Sequence, residues 1–169
     1  MPSVLVAFLV VLSATTVVLV TLASYAWIND DTTAARHLVV VLLGQAVWCG
    51  AIFASGLVRG TWLAQLMWHV RSVSVLFVVA GLFCFSLAFT GRTEYLNRRT
   101  YALLSVEPIF RIGIIVTNYR NLNYSAVYQS EAAIAGVGFE WGAGFWAHAT
   151  YSYLLLGVAM LLVLWSALG

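Results

Sequence analysis

The chain has 169 residues, of which 63% are hydrophobic and only 8% are charged. Soluble domains carry roughly 25% charged residues, so this composition indicates an integral membrane protein without a soluble catalytic domain. The net charge of +2 is too small to indicate nucleic-acid binding. All eight basic residues are arginines, and a chain without lysine cannot form the Schiff base that a retinal photoreceptor requires.

Five apolar segments are long enough to cross a bilayer, which requires about 20 mostly apolar residues. We expect spans at about 4–27, 37–58, 61–89, 100–117 and 145–168, forming an all-α bundle that makes residues 1–169 a single membrane domain. The first span has an apolar run too long for a signal peptide, and no Lys or Arg precedes it. We therefore expect it to be retained as a transmembrane helix.

The longest connector, residues 118–144, is polar and rich in aromatic residues and glycine. Its loose alternation predicts a small β-hairpin or an irregular cap on one membrane face. The connector between the third and fourth spans holds Arg92, Arg98 and Arg99, and the positive-inside rule places this densest basic cluster in the cytoplasm. The N-terminus and residues 118–144 are then expected outside and the C-terminus inside. An aromatic belt at the outer interface would contain Trp62, Trp68, Trp141 and Trp146.

The fourth span is the least apolar and contains Glu107, Pro108 and Arg111. A charge that faces lipid costs at least ~2.5–3.5 kcal/mol on insertion scales. Glu107 and Arg111 are four residues apart and can pair on one helix face, while Pro108 removes a backbone donor and is expected to kink the helix. The pattern has two interpretations: a structural pair that fixes helix packing, or a polar switch in a movable helix.

Two further polar stripes are expected at similar depth, in the outer halves of the third and fifth spans. Residues at spacings of three and four share a helix face, so the two stripes are candidates to line one outward-opening cavity, with Arg71 adjacent. Ordinary hydrogen bonding between helices is the alternative for each residue. The stripes consist of Gln65, His69 and Ser72 in the third span and His148, Tyr151 and Ser152 in the fifth.

Gly56 and Gly60 form a small-xxx-small pair at the outer end of the second span, a pattern that favours close helix packing. Cys49 and Cys84 lie within apolar runs, where thiols usually pack as small hydrophobes. Their spacing predicts neither a disulfide framework nor a metal site. We expect no metal and no cofactor.

Several sequence motifs, in their order and spacing, resemble the N-terminal seven-helix membrane region of prokaryotic sensor histidine kinases. The two distinctive motifs are Phe-Thr-Gly-Arg at residues 89–92 and Phe-Trp-x-His at residues 145–148. The supporting motifs are Leu66-Met67-Trp68 with Arg71, Tyr95-Leu96 with Arg98-Arg99, the mid-helix Pro108, Val116-Thr117-Asn118, and Tyr151-Ser152-Tyr153. The resemblance covers the chain from about His37 onward and corresponds to the first five helices of the family.

This resemblance implies a sensory input module in the membrane of a prokaryotic cell, with the N-terminus outside and a cytoplasmic kinase or other output partner. No phospho-accepting His in a helical hairpin and no ATP-binding glycine boxes follow the fifth span. His37, His69 and His148 all lie in or beside membrane spans, which argues against a phosphorylation role. The chain is therefore expected to be either a fragment of a longer sensor or a shortened relative with a separate partner.

Two other classes of function remain open. The chain is a candidate structural or assembly subunit that packs against other membrane helices, of its own kind or of a partner. It is also a candidate redox subunit, if His69 and His148 served as axial haem ligands. A transporter is disfavoured because no internal repeat is visible.

Overall fold

The computed structural model describes residues 2–131 and 133–168 of the chain. Within these residues there are five α-helices, and each is long and apolar enough to cross a membrane. Their bounds are α1 Pro2–Asn29, α2 Thr33–Leu57, α3 Trp62–Phe89, α4 Arg98–Thr117 and α5 Ala143–Leu168. The predicted all-α bundle of five membrane spans is confirmed, with helix ends close to the expected ones.

The helix ends follow from local capping chemistry. The Thr32 hydroxyl accepts a hydrogen bond from the N–H of Ala35 at the start of α2. Asn97 caps α4 in the same way, since its side-chain oxygen accepts from the N–H groups of Arg99 and Thr100. Side-chain caps of this kind satisfy N–H groups that have no partner within the helix.

α3 lies at the centre of the bundle, because it contacts α2, α4 and α5, whereas α1 contacts α2. α4 is weakly embedded, since of its residues only Arg111, Ile114 and Ile115 are buried. α5 is similarly exposed, with only Ser152 and Ala159 buried. Large apolar side chains on the other faces of α4, such as Leu103 and Phe110, are exposed. Little packing therefore fixes the position of α4, and its polar contacts carry correspondingly more weight.

A two-stranded antiparallel hairpin separates α4 from α5. It consists of β1, Tyr124–Gln129, and β2, Val137–Trp141, with Val127 paired to Phe139 and an irregularity between Tyr124 and Ala126. The hairpin predicted within residues 118–144 is confirmed. Its aromatic side chains lie close to Trp68 of α3 and Phe145 of α5.

The two glycines that were predicted to form one packing surface have different environments. A Cβ at Gly56 would lie 2.7 Å from the Leu9 side chain of α1, so α1 approaches α2 closely at this position. Gly60 lies beyond the end of α2 in a turn with φ +74°, and its N–H donates to the carbonyl of Ala135 at 2.9 Å. The prediction was wrong for Gly60, because the helix ends at Leu57 before the second glycine is reached.

Pro108 lies within α4, which continues as α-helix on both sides of it. Proline removes one backbone hydrogen bond from a helix interior and locally weakens the helix. The residue immediately before it, Glu107, makes the contact between α4 and α5 that defines the candidate site.

Candidate functional site

The connection from α4 to α5 is held by backbone and amide hydrogen bonds. α4 ends at Thr117, and the left-handed conformation of the next residue, Asn118 (φ 43°), turns the chain. The Asn118 side chain donates to the carbonyl of Tyr124 and accepts from the N–H groups of Asn123 and Tyr124. The carbonyl of Leu122 in turn accepts from the N–H groups of Gly144, at 2.8 Å, and Phe145, at 3.2 Å, in the first turn of α5.

This junction places the start of α5 beside the middle of α4. His148 Nδ1 lies 2.6 Å from Glu107 Oε1, and the Ser152 hydroxyl lies 3.5 Å from the same nitrogen. The His148 side chain is 10% exposed and the Glu107 side chain 20% exposed. At this distance the Glu107 carboxyl oxygen and the His148 ring nitrogen are hydrogen-bonded, and hydrogen bonds to charged groups are among the stronger ones in proteins.

Arg111, one turn further along α4, is 2% exposed. It was predicted to pair with Glu107, but the salt bridge that Glu107 forms is with His148. Within the described part of the chain, Arg111 Nε and Nη1 have no hydrogen-bond partner. The guanidinium carbon lies 5.8 Å from the centre of the Phe145 ring. The predicted pair is therefore replaced by a contact between helices, and Arg111 faces an aromatic ring and a cavity.

That cavity, which we call the arginine cavity, has a volume of about 470 Å³ and lies mainly between α3 and α5. Two arginines reach it from different helices, Arg71 from α3 and Arg111 from α4. Its remaining walls are largely apolar and aromatic. The other lining residues are Trp48, Trp68, Ser72, Val75, Val79, Phe145, His148, Ala149, Ser152, Tyr153 and Leu156.

Comparison with known families gives a match over most of the chain. The model of the N-terminal 7TM region of histidine kinase matches residues 11–169. The chain belongs to this family. No curated protein and no solved structure gave a match. Family and fold together identify a multi-pass membrane sensor module of the histidine kinase type.

The sensor module brings together some of the predicted polar residues and separates others. Ser72, His148 and Ser152 line the arginine cavity together with Arg71 and Arg111. His69 instead lines a larger apolar pocket of about 760 Å³ between α2, α3 and α4. Neither Gln65 nor Tyr151 is among the residues that line these two spaces.

The separation follows from helix geometry. On α3, the residues that line the arginine cavity and those that line the apolar pocket occupy opposite faces, as 3.6 residues per turn requires. The stripe of Gln65, His69 and Ser72 runs along the boundary between these faces, so His69 and Ser72 fall on different sides. On α5, Tyr151 lies on the side of the helix that is turned away from the residues lining the cavity.

The sequence did not indicate the aromatic cluster that joins the hairpin to the helices. Trp68 of α3 is buried, with its ring centre 4.6 Å from that of Phe139 and 5.2 Å from that of Trp141. Trp141 stacks on Phe145 of α5 with 4.2 Å between ring centres. The one sequence signal for this cluster was the high aromatic content of residues 118–144. Because Trp68 and Phe145 also line the arginine cavity, the cluster connects the cavity to the hairpin.

The haem interpretation has no geometric support in the sensor module. His69 and His148 line different spaces on opposite faces of α3 and do not face a common volume. Among residues 2–131 and 133–168, no group of three His, Cys, Asp or Glu side chains is placed to hold a metal ion. Cys49 and Cys84 are both free and buried, consistent with packing roles.

Proposed function

We propose that the chain is a signal-input module that couples the arginine cavity and the hairpin to a cytoplasmic output partner through movement of α4 against α5. In this proposal the N-terminus and the hairpin face the outside and the C-terminus faces the cytoplasm. The observation that carries the proposal is the 2.6 Å hydrogen bond between Glu107 and His148. It joins the weakly packed α4 to α5 beside the cavity.

The orientation is supported by the arginine distribution. Arg92, Arg98 and Arg99 lie at the end of the bundle opposite the hairpin, where α3 ends and α4 begins. Positive charges of this kind favour the cytoplasmic side of a membrane. With five spans, the hairpin and the N-terminus then lie together on the outer side.

A two-state movement is supported by how α4 is held. Near its start, Tyr101 makes a 3.0 Å hydrogen bond to His37 Nε2 of α2. In its middle it is held by the Glu107–His148 contact, and at its end by the Asn118 amide. A stimulus shifts such a helix only if it binds one arrangement more tightly than the other. The arginine cavity is the space where such a difference would arise.

The test joins the chain to a histidine kinase output domain and measures phosphorylation of its response regulator in cells. We expect Glu107→Gln and His148→Ala to change the output in the same direction, because the first weakens the contact between α4 and α5 and the second removes it. Glu94→Gln is the matched control, since Glu94 is exposed at the opposite end of the bundle. Equal output from all three variants and the unchanged chain would remove the contact from the mechanism.

A further inference from the structure

The arginine cavity contains more positive charge than its surroundings balance. Arg111 is almost fully buried, and two of its three guanidinium nitrogens have no partner in the described part of the chain. Arg71 lines the same cavity with its guanidinium carbon 5.9 Å from the Trp68 ring centre. No hydrogen bond or ion pair joins the Arg71 side chain to another described residue.

The nearby acidic group, Glu107, forms no ion pair with Arg71 or Arg111 in the described part of the chain. The charged or titratable side chains that face the cavity are Arg71, Arg111, His148 and Tyr153. Glu107 is close by, but its carboxyl group is hydrogen-bonded to His148. A buried charge without a partner is strongly unfavourable in an apolar interior, and intramembrane ionisable residues are usually paired or functional.

We propose that the arginine cavity binds an oxyanion, a carboxylate or a phosphate, held between the guanidinium groups of Arg71 and Arg111. Guanidinium groups match both anions through paired N–H donors. The inference rests on the proposed function, because it assigns a ligand class to the same cavity. Binding supplies the missing partner of Arg111 and links α3 to α4 through a shared ligand.

The walls indicate that the anion carries an apolar part. On the side away from the hairpin, the cavity is lined by Val75 and Val79 of α3 and by Leu156 of α5. Trp68 and Phe145 add aromatic surfaces. Small-molecule sites commonly combine such apolar walls with a few polar groups that fix orientation. The ligand is therefore an amphiphilic anion, either a free carboxylate with a hydrocarbon body or the headgroup of an anionic lipid.

A second space adjoins the arginine cavity on the hairpin side. This space of about 320 Å³ lies between the hairpin and the α2–α3 helices, and it shares Trp68 and Arg71 with the arginine cavity. Tyr128 and Phe139 of the hairpin line this second space. Arg71 therefore lines both the space under the hairpin and the arginine cavity, and we infer that it is the first arginine met by an anion that enters from the hairpin side.

The test uses the intact chain in nanodiscs of neutral phosphatidylcholine and measures binding of radiolabelled benzoate and of inorganic phosphate by equilibrium dialysis. A parallel sample contains phosphatidylglycerol, whose retention is read by native mass spectrometry. We expect saturable binding of benzoate or retention of phosphatidylglycerol, weakened at least tenfold by Arg71→Gln and by Arg111→Gln. Arg120→Gln, the same change at an exposed arginine near the hairpin, should leave binding unchanged.

Benzoate binding identifies a free carboxylate as the source of the anion, and retention of phosphatidylglycerol alone identifies a lipid. Both results support the proposal, whereas binding of none of the probes, or binding unaffected by Arg71→Gln, overturns it. Arg71 is less buried than Arg111, so this variant decides the outcome if Arg111→Gln does not fold. If the cavity binds the anion but Glu107→Gln leaves the signalling output unchanged, only the proposed function is rejected. If Glu107→Gln changes the output but no probe binds, only the ligand assignment is rejected.

Discussion

His148 Nδ1 and Glu107 Oε1 lie 2.6 Å apart and join the first turns of α5 to the middle of α4. α4 buries only three of its twenty residues, so we expect its few polar contacts, of which this one joins it to α5, to contribute substantially to how the helix is held. Glu107 also directly precedes Pro108, where the helix lacks one backbone hydrogen bond. The contact therefore lies at the place where α4 is least constrained by its own structure.

Substituting either partner of this contact should lower the free energy of unfolding, by an amount that differs between the two residues. Glu107→Gln keeps an acceptor oxygen and should cost about 0.5–1 kcal/mol, as hydrogen bonds between membrane helices typically do. His148→Ala leaves a half-buried carboxyl without its partner and should cost about 1–3 kcal/mol. Thermal unfolding in nanodiscs measures both, with Glu94→Gln as the control. Equal stability of His148→Ala and the unchanged chain would show that the bond contributes nothing.

The junction between the hairpin and α5 should not tolerate a side chain at Gly142. A Cβ there would collide with the backbone carbonyls of Asn121 and Leu122, the Leu122 oxygen lying 2.6 Å away. Backbone atoms cannot rotate aside, so we expect Gly142→Ala to cost more than about 1 kcal/mol in unfolding free energy. Gly157→Ala in α5, where nothing lies within 4 Å, should be neutral or slightly stabilising. Similar melting temperatures for the two variants would contradict this account.

Trp68 should hold the hairpin against the helices. Trp68→Ala removes a buried ring that contacts Phe139 and Trp141, and a change of this kind costs about 3–5 kcal/mol in a packed core. Trp62, also on α3, is 70% exposed, and Trp62→Ala should cost much less. Hydrogen exchange of residues 124–129 and 137–141 reports on the hairpin directly. Faster exchange is expected only in the Trp68 variant, and unchanged protection there would show that the cluster does not anchor the hairpin.

Membrane orientation is tested with single cysteines at the two ends of the bundle. Gln129→Cys in β1 should react with a membrane-impermeant maleimide added to intact cells, whereas Glu94→Cys should react only after the cells are opened. Both positions are exposed, and the native Cys49 and Cys84 are buried. The reverse labelling pattern would place the hairpin in the cytoplasm.

The five helices and the hairpin were predictable from sequence, because the length of an apolar run and the alternation of polar and apolar residues are local properties. The hydrogen-bond partner of Glu107 was not predictable from the sequence. Spacing along α4 favoured Arg111, but the choice between Arg111 and His148 depends on how α4 is rotated and on where the junction through Leu122 places α5. The stripe of Gln65, His69 and Ser72 likewise divides between two spaces because it lies on a boundary between helix faces, which sequence spacing alone cannot locate.

We propose that the Glu107–His148 contact sets the position of α4 relative to α5. Spin labels at Leu103 of α4 and Met160 of α5, both largely exposed, measure this position by double electron–electron resonance in nanodiscs, with Cys49 and Cys84 replaced by alanine. We expect one narrow distance distribution in the unchanged chain and a shifted or broadened distribution with Glu107→Gln and His148→Ala, but not with Glu94→Gln. Superimposable distributions for all four proteins would contradict the claim.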